Sequence, residues 1–131
     1  MVLIDTSAFI EFLNRTGTRE DRAIEKMFLN DEDIGIPRLA LTEILQGIRD
    51  DSKHAEVKKS LLTFPAFSLK NSDSYLATAD LYRACRKKGL TVRSTIDLII
   101  AQIAIEQNAA LMHRDADFDS IARVSNLKIF K

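Results

Sequence analysis

An α/β domain with a mostly parallel central sheet, flanked by helices on both faces, is the fold class this sequence predicts. Three observations carry it. Apolar runs too short for helices (Val2–Ile4, Ile34–Ile36, Ala110–His113) alternate with longer stretches of helical spacing. The runs are continuously apolar rather than alternating, as in strands covered on both sides. The chain has 131 residues and no internal repeat or composition break, so it reads as a single domain, residues 1–131.

Val2-Leu3-Ile4 is closed by Asp5-Thr6-Ser7, and Ala8 to Leu13 then has helical spacing: strand, turn and helix, with Thr6 or Ser7 as cap. Thr18-Arg19-Glu20-Asp21 approximates a capping box and opens a second helix with Ala23, Ile24, Met27 and Phe28 inward. Ile34-Gly35-Ile36 predicts a buried strand. Pro37 suits the first position of a helix reaching Ile48, with Leu41, Ile44, Leu45 and Ile48 as its inner stripe. His54 to Leu62 predicts another helix and Ala66 to Leu69 a strand. Ser72 to Lys88 is the longest helical pattern, with Leu76, Ala79, Leu81, Tyr82 and Cys85 recurring and Gly89 at the stop. Thr95 to Gln107, apolar on nearly every side, predicts a central helix. Ala110 to His113 is a buried strand, and Leu127 to Phe130 a last strand at an edge. Such sheets bind ligands outside the carboxyl ends of their strands.

Hydrophobic residues at 46% and charged residues at 29% exclude a disordered chain. The single cysteine, Cys85, excludes a disulfide framework or thiolate metal cage and suits a reducing compartment. No apolar run approaches the roughly 18 residues of a membrane span, and the amino terminus lacks the basic stretch of a signal peptide. A cytoplasmic protein without membrane contact is therefore expected. Lys plus Arg and Asp plus Glu are both 19; proteins that hold nucleic acid by bulk charge alone are usually more basic, so contact with nucleic acid would need a local patch or bound cations. The densest basic stretch is Arg83, Arg86, Lys87, Lys88 and Arg93. It reads equally as a solvated helix end and as a phosphate-binding rim.

Four places carry acids that folding alone does not call for. Asp5 follows a strand directly. Glu43 lies between the stripe residues Leu41 and Ile44. Asp97 interrupts Ile96-Asp97-Leu98-Ile99-Ile100, and Asp115 and Asp117 follow the strand ending at His113. Singly, each has a structural reading: Asp5 as a helix cap, Glu43 as a surface acid, Asp97 as a favourable first-turn charge, and Asp115, Asp117 and Asp119 as a solvated turn. Together they point elsewhere. In a parallel sheet Asp5 and Asp115 emerge on one rim, and clustered carboxylates repel unless a cation neutralises them. All the candidates offer oxygen, which suits Mg²⁺ or Mn²⁺ rather than zinc. Such a site fits metal-assisted phosphodiester hydrolysis.

The blocks Leu3-Ile4-Asp5-Thr6-Ser7-Ala8-Phe9-Ile10, Leu41-Thr42-Glu43-Ile44-Leu45-Gln46-Gly47, Ser94-Thr95-Ile96-Asp97-Leu98-Ile99-Ile100-Ala101 and His113-Arg114-Asp115-Ala116-Asp117-Phe118 resemble the four acidic blocks of the PIN domain, more narrowly the VapC-type toxin ribonucleases of bacterial toxin–antitoxin pairs. The resemblance runs to about Phe130. It implies that Asp5, Glu43, Asp97 and Asp115 hold Mg²⁺ or Mn²⁺, with Asp117 as an accessory acid. It implies a metal-dependent endoribonuclease that cuts structured RNA, such as transfer or ribosomal RNA loops, and inhibits translation. It also implies a homodimer, neutralised by a small VapB-like antitoxin that forms a hetero-oligomer with it. His113-Arg114 departs from the pattern, since relatives carry Thr or Ser before the fourth acid.

Ser7 has no histidine arranged for a nucleophilic triad, so Thr6, Ser7 and Thr95 read as caps or hydrogen-bond partners of the acids. His113 reads as a satisfied core histidine and Cys85 as core. Arg86, Lys87, Lys88 and Arg93 are the candidate RNA contacts. Phe9, Ile10, Phe12 and Leu13 crowd the short first helix, leaving apolar surface for an amphipathic antitoxin segment whose basic tail could occupy the acids. A receiver-like module would need adjacent acids after the first strand, and a haloacid-dehalogenase phosphatase an Asp where Ser7 stands. A PIN nuclease of RNA processing or decay without an antitoxin, and an inactive PIN-like binding module, remain as alternatives.

Overall fold

The computed structural model describes residues 1–131. Strands β1 (Val2–Ile4), β2 (Ile34–Pro37), β3 (Ala66–Phe67), β4 (Ala110–Met112) and β5 (Lys128–Ile129) form one sheet in the order β3-β2-β1-β4-β5, every pair parallel. The seven helices are α1 (Thr6–Leu13), α2 (Arg19–Leu29), α3 (Leu39–Gln46), α4 (Asp51–Leu61), α5 (Ser72–Lys87), α6 (Thr95–Glu106) and α7 (Ala116–Ala122). No helix is long and apolar enough to cross a membrane.

Side chains alternate across a strand, and that alternation divides the core in two. Leu3 and Leu111 join α5, α6 and α7 in one buried cluster, while Ile4 and Met112 join α1 to α4 in the other. Ile34 and Ile36 face the second cluster, and Gly35 between them faces the ring of Phe67. A Cβ at Gly35 would meet Phe67 Cε2 at 2.7 Å and the Pro65 carbonyl at 3.0 Å, so β3 approaches β2 only because this residue has no side chain. The α/β architecture with helices on both faces is as expected.

Several boundaries differ for identifiable reasons. Pro37 does not open a helix; it is buried in β2, opposite Phe67 of β3. The Ile36 and Arg38 amides donate to β3, at Pro65 and Phe67. The missing donor of Pro37 faces β1, whose pairing with β2 ends at Gly35, so no ladder bond is lost. Helix α1 is capped by Asp5, not by Thr6 or Ser7, which form its first turn. Helix α4 begins at Asp51 rather than His54, because Asp50 caps it through the Lys53 amide at 2.7 Å. The stretch read as a solvated turn is the start of α7, with Asp115 as its N-cap and Phe118 and Ile121 buried.

The largest correction concerns α5. Leu76, Ala79 and Tyr82 point outward, with Leu76 66% exposed. The buried face instead carries Ser74, Thr78 and Cys85. Small side chains let α5 lie close on α6, and their polar groups are met locally. Thr78 Oγ1 donates to the Ser74 carbonyl at 2.8 Å, and Glu106 of α6 accepts from Gln102 Nε2 at 3.1 Å and from the Lys70 amide. Satisfied in this way, buried polar groups cost little. Phe28, expected on the inner face of α2, is likewise half exposed.

Candidate active site

The parallel sheet delivers Asp5 from the end of β1 and, after His113 and Arg114, Asp115 from the end of β4. The two strands pair side by side at Ile4 and Met112. The Asp5 amide donates to the Met112 carbonyl at 2.9 Å, which ties the two ends together. Of the two readings the sequence left open for Asp5, the structure shows the helix cap. Its carboxylate caps α1 through the Ser7 amide at 2.9 Å, and it is buried at the site rim. Ser7 Oγ donates to Asp5 and accepts the Arg114 amide at 3.0 Å, joining the two strand ends through one hydroxyl.

Asp97 arrives from the other direction, in the first turn of α6. The side chain that reaches it is Ser94, not Thr95: Ser94 caps the helix through the Asp97 amide. Asp115 Oδ1 accepts the Asp117 amide at 2.9 Å. Asp97, Asp115 and Asp117 then present oxygens within 4.8 Å of one another. Asp117, expected as an accessory, belongs to this tight cluster. Asp5 and Glu43 stand outside it but are electrostatically linked, Asp5 to both Asp97 and Glu43. Glu43 is aimed from α3 by Thr6, whose Oγ1 donates to Oε1 at 2.9 Å.

The electrostatics follow from this crowding. Burial, then the charges of Asp115, Asp5 and Asp117 and a carboxyl–carboxylate hydrogen bond with Asp115, push Asp97 up to about 7. Asp5 is also raised, by burial against the opposing pull of its Ser7 hydrogen bonds. Glu43 is raised by burial and by Asp5, with the Thr6 hydroxyl opposing. Three carboxylates this close favour sharing a proton or a cation, and an all-oxygen donor set fits a hard divalent ion such as Mg²⁺ or Mn²⁺. The residues present suit such an ion.

Around the cluster, Asp117 Oδ2 accepts the Arg93 amide at 3.2 Å, so the segment carrying Arg93 borders the acids. Arg86, Lys87 and Lys88 are exposed at the end of α5, and the Arg86 guanidinium lies over the Tyr82 ring at 5.5 Å. Sequence reasoning missed Arg114, which pairs with Glu11 and also approaches Glu20 at 3.8 Å, pinning the β4–α7 turn to α1 and α2. The basic residue beside Asp115 was visible, but its partners lie about a hundred positions away in the chain.

A groove of about 380 Å³ opens beside Glu43, lined among others by Ile10, Leu13, Ile44, Ile48 and Lys53. A neighbouring one of about 510 Å³ shares Leu13 and Lys53 with it and adds Phe12, Phe28 and Leu29. Of the four large apolar residues of α1, Phe9 is fully buried, while Ile10, Phe12 and Leu13 reach these grooves.

Residues 2–124 match the model of the PIN domain. The chain is 40% identical to the VapC ribonuclease Mb1587 of Mycobacterium bovis and to ribonuclease VapC11 of Mycobacterium tuberculosis, over 98% of this chain and 96% of each relative. Among solved structures it is similar to VapBC2 from Rickettsia felis bound to a promoter DNA fragment (TM-score 0.77, 19% identity, 99% of this chain and 98% of that one). It is also similar to DNA-bound VapBC from Salmonella typhimurium (TM-score 0.77, 17% identity, 98% and 96%). With the acids in place and the match running almost end to end, the chain belongs to the PIN domain family, among its VapC ribonucleases.

Proposed function

We propose that this protein is a Mg²⁺- or Mn²⁺-dependent endoribonuclease that hydrolyses phosphodiester bonds in structured RNA and serves as the toxin of a toxin–antitoxin pair. The observation that carries this reading is the convergence of Asp97, Asp115 and Asp117 beyond the carboxyl ends of parallel strands, with Asp97 pushed up to about 7. Asp97, Asp115 and Asp117 would hold the cation, with Asp5 and Glu43 completing the acidic field around it. The ion would supply Lewis-acid activation of water and stabilise the charge that develops at the phosphodiester. The hydroxyls of Thr6 and Ser7 hold the carboxylates of Glu43 and Asp5, and Ser94 anchors the backbone amide of Asp97 at the start of α6. Arg93, with Arg86, Lys87 and Lys88, would carry RNA phosphates towards the acids.

The curated relatives are named as ribonucleases and the structural neighbours as VapBC complexes, which supports a VapB-like partner. The groove from Ile10 and Leu13 to Glu43 suits an amphipathic segment of that partner, and a basic tail residue there would compete with the cation for the same oxygens. For the homodimer, the outward Leu76, Ala79 and Tyr82 of α5 offer an unpartnered apolar face.

The test is cleavage of total RNA by the purified protein with mapping of the new ends. Activity is expected with Mg²⁺ or Mn²⁺, lost in excess EDTA, and suppressed when the small neighbouring reading frame is co-expressed. Full cleavage in EDTA removes the metal reading. Cleavage undiminished by any adjacent frame favours RNA processing without an antitoxin. Neutralising two of Arg86, Lys87, Lys88 and Arg93 lowers the log–log salt slope of RNA binding by about 0.7 for each lost phosphate contact; an unchanged slope returns them to a solvated helix end.

A further inference from the structure

His113 directly follows β4 and is more than a filler of the core. Its side chain is only 6% exposed, and its ring packs 5.1 Å from that of Phe118. Nδ1 accepts the Asp115 amide at 3.0 Å. A ring nitrogen that accepts carries no proton, so the neutral imidazole holds its proton on Nε2. That atom is buried without an aligned hydrogen-bond partner, although Asp119 Oδ1 stands 3.2 Å away. An incompletely met buried N–H is a cost that an apolar side chain of the same volume would avoid. Packing alone therefore does not account for a histidine here, whereas the bond at Nδ1 does.

Resting on the nuclease reading above, we propose that His113 is the positioning residue of the fourth acid. By accepting the Asp115 amide at Nδ1, it sets the backbone turn from which the Asp115 carboxylate reaches Asp97 and Asp117. The carboxylate is held at its far end by the Asp117 amide, so Asp115 is fixed from both sides of its Cα. The same ring faces Asp119 in the opening of α7, which aligns the helix start with the strand end. Ser7 Oγ and the ion pairs of Arg114 hold the preceding residue of this turn, and the imidazole holds the amide of Asp115 itself.

Mn²⁺ titration calorimetry on the full chain tests this. His113→Phe keeps the ring volume and removes the acceptor, and His113→Asn restores an acceptor oxygen. His113→Phe is expected to weaken Mn²⁺ about 10- to 100-fold, and His113→Asn to recover most of that loss. Asp97→Asn is expected to abolish measurable binding. Wild-type affinity in His113→Phe, with binding lost in Asp97→Asn, overturns the positioning role and leaves the nuclease site standing. Wild-type affinity in Asp97→Asn as well removes the metal site and the positioning role together. Should His113→Phe fail to fold, the imidazole ¹⁵N spectrum of the wild type decides. The Nε2–H tautomer is expected; an Nδ1–H tautomer cannot accept the Asp115 amide and overturns the proposal.

Discussion

Two acidic triplets lie at opposite ends of the sheet. Asp31, Glu32 and Asp33 are consecutive, precede β2 and are all exposed. Asp97, Asp115 and Asp117 come from two helix starts and meet half-buried within 4.8 Å, beyond the carboxyl ends of the strands. The first has the higher charge density along the chain, yet water screens it, and its one ion pair, Asp33 to the amino terminus at 4.0 Å, is at the limit of contact. In the second, the Asp117 and Arg93 amides hold the carboxylates of Asp115 and Asp117 against their repulsion, and Ser94 anchors the Asp97 backbone. Acids become chemically distinctive when folding removes their water and leaves them one another, not when they are neighbours in sequence.

The sharpest way to break this comparison is by removing charge at each end. Asp97→Asn is expected to lower Mn²⁺ affinity and RNA cleavage by at least about 100-fold while leaving a folded chain. The combined Asp31→Asn, Glu32→Gln and Asp33→Asn variant is expected to change both by less than about twofold, since exposed charges far from the chemistry contribute little. Equal losses in calorimetry and cleavage assays would erase the distinction between the triplets.

A second, intermediate effect is in pH. Asp97 titrates near 7 in the folded protein against 3.8 ordinarily, so between those values the folded state binds more protons than the unfolded one. Stability of the metal-free protein then falls as pH rises through that window. Asp5 and Glu43, also raised, act in the same direction. Scanning calorimetry should give a higher Tm at pH 5 than at pH 8, a flatter profile in Asp97→Asn, and recovery at pH 8 on adding Mn²⁺. Neutralising the 31–33 triplet should leave the slope unchanged.

The smallest effect belongs to the solvated triplet. Asp31 has φ 52°, in the left-handed region that ends α2. Asp31→Gly relieves that conformation and is expected to stabilise the fold by about 0.5 kcal/mol, read from denaturant midpoints, with Mn²⁺ affinity untouched.

Much of this was legible from residues alone. The strands announced themselves as short apolar runs, and Asp5, Glu43, Asp97, Asp115 and Asp117 stood out because acids in apolar surroundings need a reason. The two largest misreadings share one cause, packing between elements. The outward turn of Leu76, Ala79 and Tyr82 depends on how closely α5 can approach α6, and Ser74 and Thr78 permit that approach only because Thr78 and Glu106 find their hydrogen-bond partners there. Helix α7 was hidden because a seven-residue helix opening on three acids looks like a turn until Phe118 and Ile121 find a core.

The sequence by itself determined the alternation of strands and helices, the parallel class and the list of acids. All of these follow from interactions within a few residues, where spacing and side-chain chemistry are directly readable. Only the tertiary structure decided which acids touch, that Asp117 joins Asp97 and Asp115 while Asp5 and Glu43 flank them, and that the hydroxyl of Thr6 reaches Glu43 from another element. Those outcomes depend on which surfaces pack together. Packing sums small contributions from residues far apart in the chain, so it has no signature in any one stretch of it.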